Sequence, residues 1–97
     1  MSNVNFAAID LGAESGRVVL GSISSSKLEL KELHRFPNGP IRTGDDLHWD
    51  VLRLWAEMKQ GVGIAGREPG GLAGIGIDTW GVDYGLLDRN GALIGNP

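Results

Sequence analysis

Two short stretches carry the residue types and spacings from which chemistry could be built. The first is Asp10-Leu11-Gly12-Ala13-Glu14-Ser15-Gly16-Arg17 and the second is Asp78-Thr79-Trp80-Gly81-Val82-Asp83. In the first, Asp10 offers a carboxylate that would hold Mg²⁺ through water. Ser15 adds a hydroxyl and Arg17 a planar cation suited to phosphate oxygens. Gly12 and Gly16 permit positive φ and a close approach of backbone to ligand. Together these make a cradle for nucleotide phosphates. The same pattern also suits a plain Gly-bearing turn between strands, and the loop alone does not decide. It is not a P-loop, since GxxxxGK[ST] is absent. It is not a dinucleotide fingerprint, since GxGxxG is absent and a strand follows.

The second stretch sets two acids, a hydroxyl, an indole and a glycine within six residues. Carboxylates accept the hydroxyl hydrogens of a polyol and an aromatic face covers its C–H groups. The plainer alternative packs Trp80 against a sheet and leaves Asp78 and Asp83 as solvated turn residues. His34 and His48 lie on different elements with no ligand spacing around them, so they read as strand-end or cap residues rather than a metal site. Trp49 and Trp55 read as core residues at the start and on the apolar stripe of a helix.

The pattern of apolar residues says which elements must position these groups. Phe6 to Leu11 is nearly all apolar and predicts a strand buried on both faces. Met1 to Asn5 reads as a frayed lead-in. Arg17 to Ile23 is the hairpin partner of the first strand, and Leu28 to Phe36 alternates as a half-exposed strand near the sheet edge. These three form an antiparallel meander. Pro37 to Pro40 breaks the pattern, and Ile41 to Asp46 reads as loop. Asp50 is an N-cap for a helix from Val51, whose Val51, Leu54, Trp55, Met58 and Val62 follow helical spacing. Gly61, Gly63 and Gly66 predict that it ends or frays between Gln60 and Gly66. After a loop at Arg67 to Gly71, Leu72 to Asp78 reads as a buried strand reached by a right-handed crossover and parallel to the first. Val82 to Leu87 and Ala92 to Ile94 bracket the turn Asp88-Arg89-Asn90-Gly91 and predict a closing β-hairpin. If the strands ending in Asp10 and Asp78 are parallel neighbours, both carboxylates emerge at one end of the sheet, where ligands of open α/β sheets gather.

Composition narrows the function classes. Nine basic and twelve acidic residues give a net charge of −3 with no basic stripe, so nucleic-acid binding has no electrostatic support. There are no cysteines, which removes disulfides and thiolate metal sites. No apolar run nears the length of a membrane span and no signal peptide is evident, so a soluble, cytoplasmic protein without membrane partners is the expectation. Ninety-seven residues make at most one small domain, and the stop at Asn96-Pro97, just after an apolar run, reads as a cut.

Four segments carry a family resemblance: DLGAESGR, HRFPNGP, LHWDV and GIGIDTWGVDYGLLD, in this order. In order and spacing they resemble the N-terminal part of the rhamnulokinase branch of the FGGY carbohydrate kinases, within the actin–hexokinase superfamily. The likeness extends from Phe6 to Pro97. It implies an α/β, ribonuclease H-like (actin-like ATPase) half-domain, the N-terminal part of a first, sugar-binding lobe, with the second lobe outside this chain. It implies transfer of the ATP γ-phosphate to L-rhamnulose, with Mg²⁺. By the same resemblance, Ala13, Glu14, Ser15, Gly16 and Arg17 form a phosphate loop, with Asp10 associated with Mg²⁺ and phosphates. The sugar-contacting backbone position falls on Gly81, with Asp78, Thr79, Trp80 and Asp83 as neighbours. The family's catalytic base, second phosphate loop and adenine pocket lie downstream, so the 97 residues alone are expected to be inactive. Glu14 stands where a small polar residue is common. Coulomb repulsion from phosphates predicts that its side chain turns to solvent, leaving its backbone N–H available.

Overall fold

A computed structural model describes residues 3–97. Strand β1 (Val4–Leu11) turns into β2 (Ser15–Ile23), which turns into β3 (Leu28–Pro37). A small hairpin of β4 (Ile41–Thr43) and β5 (Asp46–His48) leads into helix α1 (Val51–Gly66), and β6 (Gly74–Thr79) follows. The main sheet has the order β3-β2-β1-β6, with β1–β2 and β2–β3 antiparallel and β1–β6 parallel. The meander, the helix and the parallel return are therefore as the periodicity predicts. The expected loop at Ile41 to Asp46 is instead the β4–β5 hairpin, turned at Gly44 with φ 62°.

One face of the sheet is covered and the other is open. Ala7, Ile9 and Leu11 of β1, Val18 and Leu20 of β2 and Phe36 of β3 are buried together with Leu54 and Ala65 of α1. Burial in β1 alternates strictly up to Ile9, so this strand is covered on one face only, against the expectation of two. Its apolar run misleads because Phe6 and Ala8 lie on the open face. The strand also starts earlier than expected. Asn5 is 6% exposed, its amide donates to the Pro69 carbonyl at 2.9 Å, and it accepts from Ser22 Oγ at 2.6 Å. Its own carbonyl accepts from Ala73 N at 2.7 Å, tying β1 to the loop that precedes β6. The part of the frayed lead-in that falls on Met1 and Ser2 lies outside the described residues. Asn5→Ala strips partners from the Pro69 carbonyl and the Ser22 hydroxyl together. It should lower stability by about 2 kcal/mol in a urea melt.

Asp50 caps α1 as predicted, its carboxylate accepting from Arg53 N at 3.1 Å. The helix passes straight through Gly61 and Gly63 and ends at Gly66, at the far limit of the expected range. Gly61 is buried, and a Cβ there would stand 2.3 Å from Val18 Cγ2. The residue that looks like a helix breaker is the point of closest approach between helix and sheet.

Strand β6 departs most from expectation. It is the outer strand of the sheet, and Ile75 and Ile77 are 55% and 62% exposed. The helix covers β1, β2 and β3 but not β6, leaving an apolar groove lined by Trp55, Met58, Val62, Ile75 and Ile77. Trp55 is accordingly 56% exposed, not a core residue. The closing hairpin is also slighter than predicted. Asp88 to Ala92 turns at Gly91, with φ 85°, but only the single bridge Leu87–Leu93 forms between its arms.

Candidate functional site

The parallel register of β1 and β6 sets Asp10 directly opposite Asp78. Both residues fall on the open face, opposite the helix, at the carboxyl ends of their strands. The antiparallel register of β1 and β2 sets Asp10 opposite Arg17, and that of β2 and β3 sets Arg17 opposite Arg35. One row across the open face thus reads Asp78, Asp10, Arg17, Arg35.

Ser15 joins the two arginines of this row, and Arg17 pairs directly with Asp10. Arg17 Nη1 donates to Asp10 Oδ2 at 2.8 Å, and Arg17 Nη2 donates to Ser15 Oγ at 2.8 Å. Arg35 Nη1 reaches the same hydroxyl at 3.3 Å, while its Nη2 donates to Glu32 at 2.6 Å. Arg35 and Glu32 share a face despite their spacing because the β2–β3 register shifts between Val18 and Val19, leaving Leu33 unpaired as a bulge. The Arg35 hydrogen bond holds the Glu32 carboxyl below its ordinary value. A lowered folded value means that this contribution to stability is present above the ordinary carboxylate range and fades as pH falls through it. Sequence reading passed over Arg35. The signal that could have found it is the pairing itself, since an antiparallel neighbour of Arg17 must share its face.

The residues of the β1–β2 turn divide by role. The turn is closed by Gly12 N donating to Ser15 O at 3.0 Å and is held to β3 by Asn38, whose amide donates to Gly12 O at 2.9 Å. Ala13 and Glu14 lie exposed at its tip. Neither Gly12 nor Gly16 has positive φ, against the reason first given for them. Gly16 is needed for another cause: a Cβ there would stand 2.2 Å from Cζ of the buried Phe36 ring. Arg17 Nε is buried with no acceptor among the described residues.

From Thr79 onward the second stretch lies on the helix side of the same sheet end, beside the N-terminus of α1. Trp80 packs partly against the core, and its ring centroid is 4.3 Å from that of Trp49 at an interplanar angle of 37°. The Trp49 indole N–H donates to Asp83 Oδ2, and Asp83 Oδ1 accepts from Tyr84 N at 2.9 Å. Trp49 is thus part of the site rather than of the core, which its position before the helix had suggested. Asp78 Oδ1 caps its own strand by accepting from Thr79 N at 3.0 Å. A side chain at Gly81 would meet nothing within 4 Å, so packing within the chain gives no reason for glycine there. Between Gly81 and Asp83, Val82 has φ 65°, a conformation that costs a β-branched residue about 1–3 kcal/mol. The two histidines are engaged elsewhere. His34 Nε2 is 3.0 Å from Glu57 of α1, and His48 Nδ1 is 3.1 Å from the Asn96 carbonyl. Among the described residues no three His, Asp or Glu side chains gather to hold a metal ion, and no helix is long and apolar enough to cross a membrane.

Comparison with known proteins gives this arrangement a context. The chain is 44% identical over 93 residues to a rhamnulokinase of Bacteroides thetaiotaomicron, a match spanning 96% of this chain and 19% of that protein. It is 49% identical over 92 residues to a rhamnulokinase of an Enterobacter species, spanning 93% of this chain and 19% of that protein. The chain is rhamnulokinase-like in sequence. A rhamnulokinase of Bacillus subtilis agrees, at 42% identity over 89 residues, 89% of this chain and 18% of that protein. The chain therefore spans about a fifth of the length of the curated rhamnulokinases it matches. No family model matches it.

Proposed function

We propose that this chain is the part of an FGGY-type carbohydrate kinase that holds phosphates on one side of a sheet end and a ketose on the other. The reaction is phosphorylation of L-rhamnulose at O1 by ATP. The observation that carries the reading is the register of Asp10 against Asp78, which brings the two candidate stretches to one sheet end. The antiparallel meander followed by a parallel fourth strand supports a ribonuclease H-like half-domain.

The residues fit the groups this reaction needs. Arg17 has a buried Nε without an acceptor among the described residues, and a phosphate oxygen would supply one. Ser15 Oγ and the backbone from Ala13 to Gly16 would line the phosphates, and Arg17 would neutralise charge there. Asp10 would hold Mg²⁺ through water, as is usual for an ion bound by one or two carboxylates together with phosphates. ATP with Mg²⁺ supplies the transferable phosphoryl group and offsets its charge. The open space at Gly81 supports close approach of a sugar to the backbone, with Thr79, Trp80, Asp83 and Asp78 around it. Positioning the hydroxyl against the phosphate would be the main contribution of these residues.

The test is an ADP-release assay on a protein of the relatives' full length, with L-rhamnulose, L-fuculose and D-xylulose in parallel. Preference for L-rhamnulose by kcat/KM is expected. Turnover of another ketose in its place would move the reading within the kinases, and no turnover of any would remove it. The 97 residues alone, with ATP, Mg²⁺ and L-rhamnulose, should release no ADP.

A further inference from the structure

We propose that Trp49 is the positioning residue of the Thr79–Asp83 segment, its indole fixing both the Asp83 carboxylate and the Trp80 ring. That this segment faces a ketose rests on the function proposed above; that Trp49 holds it does not.

Three observations converge on Trp49. Its Nε1–H donates to Asp83 Oδ2, its ring lies 4.3 Å from Trp80, and its backbone N donates to Pro97 O at 2.8 Å. It thus joins three residues more than thirty positions away to the lead-in of α1, which is itself capped by Asp50. Beyond the packing of Trp80 against the core, the segment it holds has little else to hold it. A Cβ at Gly81 would meet nothing within 4 Å, and Val82 is exposed with φ 65°, a conformation that a β-branched residue keeps only when its flanks impose it. The flank that imposes it is Asp83, pinned through Oδ2 to Trp49 and through Oδ1 to Tyr84 N. A carboxylate has about four lone-pair directions, so these two bonds leave acceptor capacity for ligand hydroxyls. An acceptor whose position is fixed in advance binds a hydroxyl without a further ordering penalty. Loss of the indole N–H would free Asp83 to swing with the strained Val82, and the Trp80 ring would lose its lateral support.

The experiment uses the ¹⁵N-labelled 97-residue chain, whose three indole N–H signals report the three tryptophans. In Asp83→Asn the Trp49 indole proton should move upfield, because a charged acceptor has become neutral, while that of Trp55 stays. In Trp49→Phe, which keeps a ring against Trp80 but removes the donor, the Tyr84 amide should exchange about tenfold faster, with the β1 and β2 amides unchanged. L-rhamnulose should then perturb the amides from Thr79 to Asp83 in the parent chain, and should need about tenfold more sugar in Trp49→Phe. An unmoved Trp49 indole in Asp83→Asn overturns the proposal, and that exposed substitution leaves the fold intact even if Trp49→Phe does not. Unchanged Tyr84 exchange in a folded Trp49→Phe overturns it as well. A parent chain indifferent to L-rhamnulose, with both variants behaving as expected, leaves the positioning role standing and removes the ketose.

Discussion

Gly61→Ala should destabilise the chain by about 1–2 kcal/mol, although alanine is the better helix former. The direction follows from what lies under the helix. A Cβ at position 61 would stand 2.3 Å from Val18 Cγ2 and 2.8 Å from Val18 Cβ, and Val18 is fully buried. Val18 is β-branched, mid-strand and part of the buried core, so its stiff side chain does not turn aside freely. The helix must therefore lift away from β2, thinning its contacts to the sheet at Leu54 and Ala65. Overpacking costs roughly 1–3 kcal/mol, and an approach of 2.3 Å belongs in the upper part of that range, so about 1–2 kcal/mol is left after a propensity gain of about 1 kcal/mol. Gly63 is the control, since a Cβ there meets only the tip of Arg67 at 3.7 Å. Gly63→Ala should thus stabilise, by up to about 1 kcal/mol. The pair of urea melts should shift in opposite directions. Combining Val18→Ala with Gly61→Ala should recover more than additivity allows, because the two changes act on one contact. A Gly61→Ala chain as stable as its parent would show that the helix does not sit where described.

That contrast also shows how far the sequence could be read. The meander, the capped helix and the parallel return were legible because each rests on local signals: alternation, an Asp before an apolar stripe, and the crossover that parallel strands require. Asp10 and Asp78 could be placed at one sheet end for the same reason, since each closes an apolar strand. What was not legible depends on partners distant in sequence. Gly16 and Gly61 read as sources of flexibility, yet each clears room for one side chain, Phe36 and Val18 respectively. The bulge at Leu33 gives no signal of its own but decides that Glu32 and Arg35 meet. Trp49, beside a helix cap, looked like core, and only the fold brings Asp83 to its indole. Strand β6 read as buried because its residues are apolar. Apolarity records the cover a strand is suited to, and within these residues α1 does not extend over it.

Asp10→Asn should reduce kcat by about 10²-fold or more in a protein of the relatives' length, with the ketose KM within about twofold of the parent. Its fold should survive the change. The Asp10–Arg17 pair is partly exposed on both sides, 47% and 28%, and pairs of that kind contribute at most about 1 kcal/mol. Asparagine also keeps an oxygen that can accept from Arg17 Nη1, so the guanidinium is not left without a partner. On the function proposed above, what it loses is the formal charge that would face a divalent ion and the transferring phosphoryl group, where charge matters most as the transition state forms. Asp83→Asn should do the reverse. Its carboxylate lies on the helix side, bonded to Trp49 and Tyr84, away from the Arg17 cluster. Weakening that acceptor should raise the ketose KM by about tenfold while kcat changes little, since a bond made equally in ground and transition states alters binding alone. The two variants together discriminate where either alone would not. Opposite kinetic signatures require that the sheet end has a phosphate side and a sugar side, divided between the open face and the helix face of the sheet. Matching signatures would mean that both acids act on one ligand, and the division across the sheet would have to be abandoned.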